Sequence, residues 1–142
     1  MKRLGIACAG AMMGCLLMGA ADDGSWQRRV PAHDRERANP LPDQAAAAQA
    51  GAHLYAHQCA PCHGAGALGK PGRPPLLSDR VEQASDGELA WILRNGSPWN
   101  GMPSWQQLPD AQRWQLVAYL RLINTPGLAT FDIRSGTREK QR

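Results

Sequence analysis

Residues 59–63 read Cys59-Ala60-Pro61-Cys62-His63, and this pentapeptide limits what the chain can fold into more than any other stretch. C-x-x-C-H is the attachment signature of a c-type haem. Its two thiols add to the haem vinyl groups as thioethers, and the adjoining histidine reaches the iron from one side. The spacing has a physical reason: two intervening residues let one turn of backbone present both sulfurs along a single porphyrin edge. A closed zinc site would need four ligands, yet Cys8 and Cys15 lie near the N-terminus and no H-x₃₋₅-H pair follows. A dithiol redox site of the thioredoxin type is the stronger rival, since Cys-Ala-Pro-Cys carries the proline common in such motifs. That fold needs apolar strands in βαβ order around the motif, and the sequence offers none. One covalent haem c held by Cys59 and Cys62, with His63 as an axial iron ligand, is therefore expected.

A chain of 142 residues has room for one small domain plus flanks. Lys2 and Arg3 precede an uncharged stretch from Leu4 to Ala21, and Asp22-Asp23 follow it. This order is that of a secretory signal peptide over residues 1–21, cleaved after Ala20 or Ala21. Two alternatives stand beside it. The stretch is just long enough to remain as a membrane anchor, although Gly and Ala weaken it as a span. Cys15 could be lipid-modified, although Leu16-Leu17-Met18 stands where a polar tether belongs. Cleavage places the protein in the periplasm with no integral membrane segment. It also leaves Cys59 and Cys62 as the only thiols, and Met102 as the only thioether of five methionines.

Charge is unevenly spread. Between Asp43 and Thr125 six Lys/Arg balance six Asp/Glu. The excess sits in Arg28, Arg29, Arg35 and Arg37 on one side and Arg134, Arg138, Lys140 and Arg142 on the other. A nucleic-acid-binding unit would carry a basic stripe on its folded part, so no nucleic-acid partner is expected. The flanks read as solvated arms, or as docking segments for an acidic partner or an anionic membrane surface.

Residues 22–42 hold Pro31, Pro40 and Pro42 among charges without apolar periodicity, and an extended Pro/Arg-rich arm is expected there. The domain proper is expected over 43–125. A first helix runs from an Asp43 N-cap to about Gln58, with Gly51, Tyr55 and Cys59 spaced by four along one face. Residues 64–75 are too rich in Gly and Pro for a regular element. Ser85 and Glu88 form a capping box that opens a second helix to Asn95-Gly96, a C-cap pair. A loop from Ser97 to Leu108 contains Met102. A third helix runs from Pro109-Asp110 to Ile123, with Leu116, Tyr119, Leu120 and Ile123 inward. Residues 126–142 read as a flexible basic tail, and no strands are expected. The fold class is thus all-α: three main helices and long loops wrapped around one haem, which supplies apolar contact that so small a domain lacks.

The pattern resembles the small mono-haem class I c-type cytochromes of bacteria over residues 43–124. The elements are Gly51-x₃-Tyr55-x₃-Cys59, the C-x-x-C-H, Pro74-Pro75-Leu76-Leu77, Asn100-Gly101-Met102-Pro103 and Leu116-Val117-Ala118-Tyr119-Leu120. The resemblance implies that first and last helices cross near-perpendicularly, with Gly51 and Tyr55 against Leu116 and Tyr119. It implies Met102 as the sixth iron ligand, between a glycine that permits close approach and a proline that restricts the loop. His53, His57 and His33 are read as surface residues. It also implies a backbone carbonyl, of Pro74 or Pro75, that orients His63 through its other ring nitrogen. Trp91, Trp99 and Trp105 are candidates for shielding the haem, and Arg73, Arg80 and Arg94 for its propionates.

His/Met ligation raises the reduction potential above that of a bis-His haem, because a thioether favours the ferrous state. With both axial positions filled, no bond-making chemistry and no catalytic residue is expected. The implied function is one-electron carriage between redox partner proteins in the periplasm. The alternative is a haem-c electron-transfer subunit of a larger exported oxidoreductase, such as a quinoprotein dehydrogenase or a terminal oxidase. An enzyme or gas sensor would need an open iron site.

Overall fold

The computed structural model describes residues 26–126 and the backbone of two short strands beyond them. The expected signal peptide lies outside the described residues. Among the described residues six α-helices follow one another: α1 (Ala32–Arg35), α2 (Gln44–Gln58), α3 (Ala60–His63), α4 (Asp79–Gln83), α5 (Asp86–Asn95) and α6 (Asp110–Asn124). Single 3₁₀ turns occupy Gln27–Arg29 and Pro98–Asn100. The architecture is all-α, as expected, with α2, α5 and α6 the three main helices.

Local chemistry sets the helix ends. The Asp43 carboxylate accepts the Ala46 N–H at 2.9 Å and starts α2. Ser85 and Glu88 close a reciprocal capping box at the head of α5, satisfying donors that a helix leaves orphaned. Gly96 ends α5 at a φ of 69°, a left-handed conformation that glycine adopts without a Cβ penalty.

The most extensive helix contact joins α2 to α6. A Cβ on Gly51 would stand 2.0 Å from the Gln115 carbonyl oxygen and 2.9 Å from Tyr119 Cβ. The absent side chain is thus what lets the two backbones touch. Beside that crossing the Tyr55 and Tyr119 rings meet at 5.0 Å, tilted by 46°. Both are fully buried with Trp114, Leu116 and Val117 at the centre of the core.

Two departures from the sequence-based expectation concern the flanks. The segment expected as an extended arm carries a 3₁₀ turn and α1, and it packs on α5 and α6. Val30 is buried, and the Ser85 hydroxyl donates to the Arg35 carbonyl at 2.7 Å. A Cβ on Gly87 would stand 1.7 Å from the Asp34 carbonyl oxygen. The Asn39 amide donates to the Trp114 carbonyl at 2.9 Å. Arg35 and Arg37, read as solvated, pair with Glu88 and with Asp34 and Asp110. The strand expectation is corrected too, since β1 (Phe131–Asp132) pairs antiparallel with β2 (Thr137–Arg138).

Candidate functional site

The C-x-x-C-H stretch sits at the turn where α2 gives way to α3. Cys59 caps α2, its N–H bonded to the Tyr55 carbonyl at 2.9 Å, and the His63 N–H returns to the Cys59 carbonyl at 2.8 Å. One turn of backbone therefore carries both sulfurs and the imidazole. Cys59 is buried in the core and Cys62 is exposed. Burial, and secondarily Cys62, pushes the Cys59 thiol up to about 12, so it is uncharged in its apolar setting.

His63 is 8% exposed, and its Nδ1 lies 2.9 Å from the Pro74 carbonyl oxygen. A carbonyl only accepts, so Nδ1 carries a proton, which in the neutral imidazole leaves Nε2 with a lone pair for a metal. Of the two carbonyls left open by the sequence, that of Pro74 is the one in hydrogen-bonding reach. The Tyr55 hydroxyl donates to the Gly64 carbonyl at 2.7 Å, and the Gly69 N–H to the His63 carbonyl at 2.9 Å. Both anchor the backbone that carries the imidazole. Burial, with Tyr119 second, raises the Tyr55 hydroxyl above its ordinary range, so it remains a donor.

Met102 lies in the loop between α5 and α6, part-buried against the apolar cluster that includes Cys59. A two-bond bridge to Ser97 holds it, Ser97 N–H to Met102 carbonyl at 2.9 Å and Met102 N–H to Ser97 carbonyl at 3.1 Å. Further along, the buried Arg113 guanidinium donates to the carbonyls of Gln106 at 3.2 Å and Leu108, and pairs with Asp110 at 2.8 Å. The loop after the motif is fixed in the same way: Asn124 takes the Ser78 N–H and donates to the Leu76 carbonyl, each at 2.9 Å. Arg121 binds Asp86 at 2.6 Å and the Glu82 carbonyl at 2.9 Å. None of Arg113, Arg121 and Asn124 stands out in sequence. Their positions on the last helix, polar within an apolar pattern, are the available signal.

The remaining candidates separate. Trp99 is 86% exposed, whereas Trp105 packs on the core. Arg73 Nη1 donates to the carbonyls of Asn100 and Gly101 at 3.1 and 3.0 Å. His53 and His57 are exposed on α2, and His33 is exposed beside Asp34. The donor set fits a c-type haem. Two sulfurs and an imidazole with Nε2 uncommitted share one turn, and a thioether packs on the same apolar cluster. Within that cluster the Tyr119 hydroxyl is buried without a partner among the described residues.

A family model described as "Cytochrome C oxidase, cbb3-type, subunit III" matches residues 46–120, more than half of the chain. A curated relative, the dihydro-heme d1 dehydrogenase of Pseudomonas aeruginosa, is 39% identical over 71 residues. That match covers 49% of this chain and 14% of the relative, so the chain spans only a small part of that protein's length. No solved structure matches. With Cys59 and Cys62 at the spacing that holds a covalent haem c, the chain belongs to this family of small c-type cytochrome domains, whose work is electron transfer through haem.

Proposed function

We propose that the protein is a periplasmic one-electron carrier whose haem c is bound through Cys59 and Cys62 and ligated by His63 and Met102. When bound, the haem supplies one-electron exchange at its iron. The rest is done by the chain. The observation that carries the reading is the 2.9 Å contact of His63 Nδ1 with the Pro74 carbonyl, which fixes the tautomer and aims Nε2 away from the backbone. Met102 would supply the second iron ligand, since its loop is bridged and its side chain packs against apolar neighbours. With His63 and Met102 both on the iron, no position would be left there for a substrate. Export accords with the N-terminal signal pattern, and among the described residues no helix is long and apolar enough to cross a membrane. Leu68, 71% exposed, and Trp99 project beside the two loops flanking the site, an apolar setting suited to brief docking of redox partners over a small interface.

A second reading has its own support. The matching family description names an oxidase subunit, and the relative is a dehydrogenase of which this domain matches a small part. The domain would then serve inside a larger exported oxidoreductase. Purification of the mature haem protein from periplasm separates the two. A carrier elutes alone and associates with its partner at a rate that falls as salt rises. A dedicated subunit co-purifies with one dehydrogenase or oxidase in a salt-resistant complex.

A further inference from the structure

Arg73 stands where the two loops of the site meet. Its own peptide is clamped, Lys70 N–H to Arg73 carbonyl at 3.1 Å and Arg73 N–H to Lys70 carbonyl at 2.8 Å. The next residue is Pro74, whose carbonyl engages His63. The Arg73 side chain leaves this loop for the other one, where Nη1 bonds the carbonyls of Asn100 and Gly101, directly before Met102. The guanidinium lies against Gly101, where a Cβ would stand 2.7 Å from Nη1 and 3.5 Å from Cζ. Gly101 has a φ of 69°, so the chain turns there in a form that favours glycine and brings two carbonyls toward one cation. On its far side the Met102 loop is held by α6 through Arg113. On its near side Arg73 bridges it to the His63 loop, beside the Ser97–Met102 pair.

We propose that Arg73 is a positioning residue that ties the Met102 loop to the His63 loop and so sets how readily Met102 leaves the iron. This rests on the ligation by Met102 proposed above. Release of the thioether requires the loop to swing outward, and that motion must break two charge-assisted hydrogen bonds to backbone carbonyls. Without them the Ser97–Met102 bridge is left to hold the near side, and the open form becomes more populated.

The experiment uses the full haem-bearing protein in the ferric state with imidazole as the entering ligand. Arg73→Gln should bind imidazole about tenfold faster than the parent, the change expected for loss of one charged donor's net contribution. Amide exchange at Met102 and Ser97 should quicken in step. Arg73→Lys should restore most of the parental behaviour, because one ammonium can donate to both carbonyls. Gly101→Ala displaces the guanidinium from the opposite side, so adding it to Arg73→Gln should have less effect than adding it to the parent. Met102→Ala is the reference and should admit imidazole at once. Parental imidazole rates and amide exchange in Arg73→Gln, with Met102→Ala fully open, would overturn the role of Arg73 alone. Imidazole entry unaffected by Met102→Ala would overturn the Met102 assignment and this inference with it.

Discussion

Gly51→Ala offers a direct test of the α2–α6 crossing on which the haem turn is mounted. In an exposed helix this substitution stabilises, because alanine exceeds glycine in helix propensity by about 1 kcal/mol. Here the new Cβ would stand 2.0 Å from the Gln115 carbonyl oxygen. Ordinary contact begins near 3.4 Å, so the helices must part by about 1 Å or more at a place where backbone meets backbone. Overpacking of a close-packed core costs about 1–3 kcal/mol. Separating the Tyr55–Tyr119 pair, now 5.0 Å between ring centres, adds about 0.5–1.5 kcal/mol. Set against the propensity gain, the net loss is about 2 kcal/mol. For a domain of this size that lowers Tm by about 10 °C. Thermal unfolding of the haem-bearing protein, followed by far-ultraviolet circular dichroism, measures it. An unchanged or raised Tm would refute the claim that Gly51 is required by close approach.

Replacing both attachment thiols, Cys59→Ser with Cys62→Ser, should leave a chain without covalent haem and without a cooperative melt, since so small a core needs the cofactor's contact area; a sharp, parent-like transition in the double variant would count against this. Acid stability should reflect Asp110. Burial alone would raise its pKa, but hydrogen bonds from Arg113 and Trp114 and the charges of Arg113 and Arg37 outweigh that and hold the carboxyl below its usual range. A pKa lower in the folded than in the unfolded state contributes stability above the ordinary carboxylate value, about 3.9, and loses it as pH falls through the lowered one. Asp110→Asn should therefore flatten the acid-side decline, by less than about 1 kcal/mol because the carboxylate is 60% exposed; urea titrations of both forms at pH 7 and at pH 3 that keep the same difference would contradict it.

Much of this arrangement was legible in sequence because the deciding signals are local. Asp43, the Ser85–Glu88 box and Gly96 mark helix ends by chemistry within a few residues, and the helices begin and end there. The four-residue spacing of Gly51, Tyr55 and Cys59 identified the packed face of α2. Hidden from sequence were contacts made through backbone groups distant in the chain. The N-terminal segment has no periodic apolar face because it is held by carbonyls of Asp34 and Arg35 lying on Gly87 and Ser85, and by Asn39 reaching Trp114. Arg73 read as a candidate for the haem propionates, and Arg113 and Arg121 carried no signal of a role, yet each spends its donors on loop carbonyls. Such bonds recognise a backbone path, which no residue pattern announces. The choice between Pro74 and Pro75 was open for the same reason, since either carbonyl lies in the right loop and only its direction separates them.

The proposed function turns on His63 and Met102 together as the two protein ligands of a one-electron haem. Potentiometric titration of the mature ferric protein and of Met102→Ala, with absorbance read from the Soret band through the Met–iron charge-transfer band, tests it most directly. The parent should show a single one-electron transition. Met102→Ala should lose the charge-transfer band and titrate at a lower potential, because a soft ligand that favours ferrous iron is gone. An unchanged band and an unchanged midpoint in Met102→Ala would contradict it.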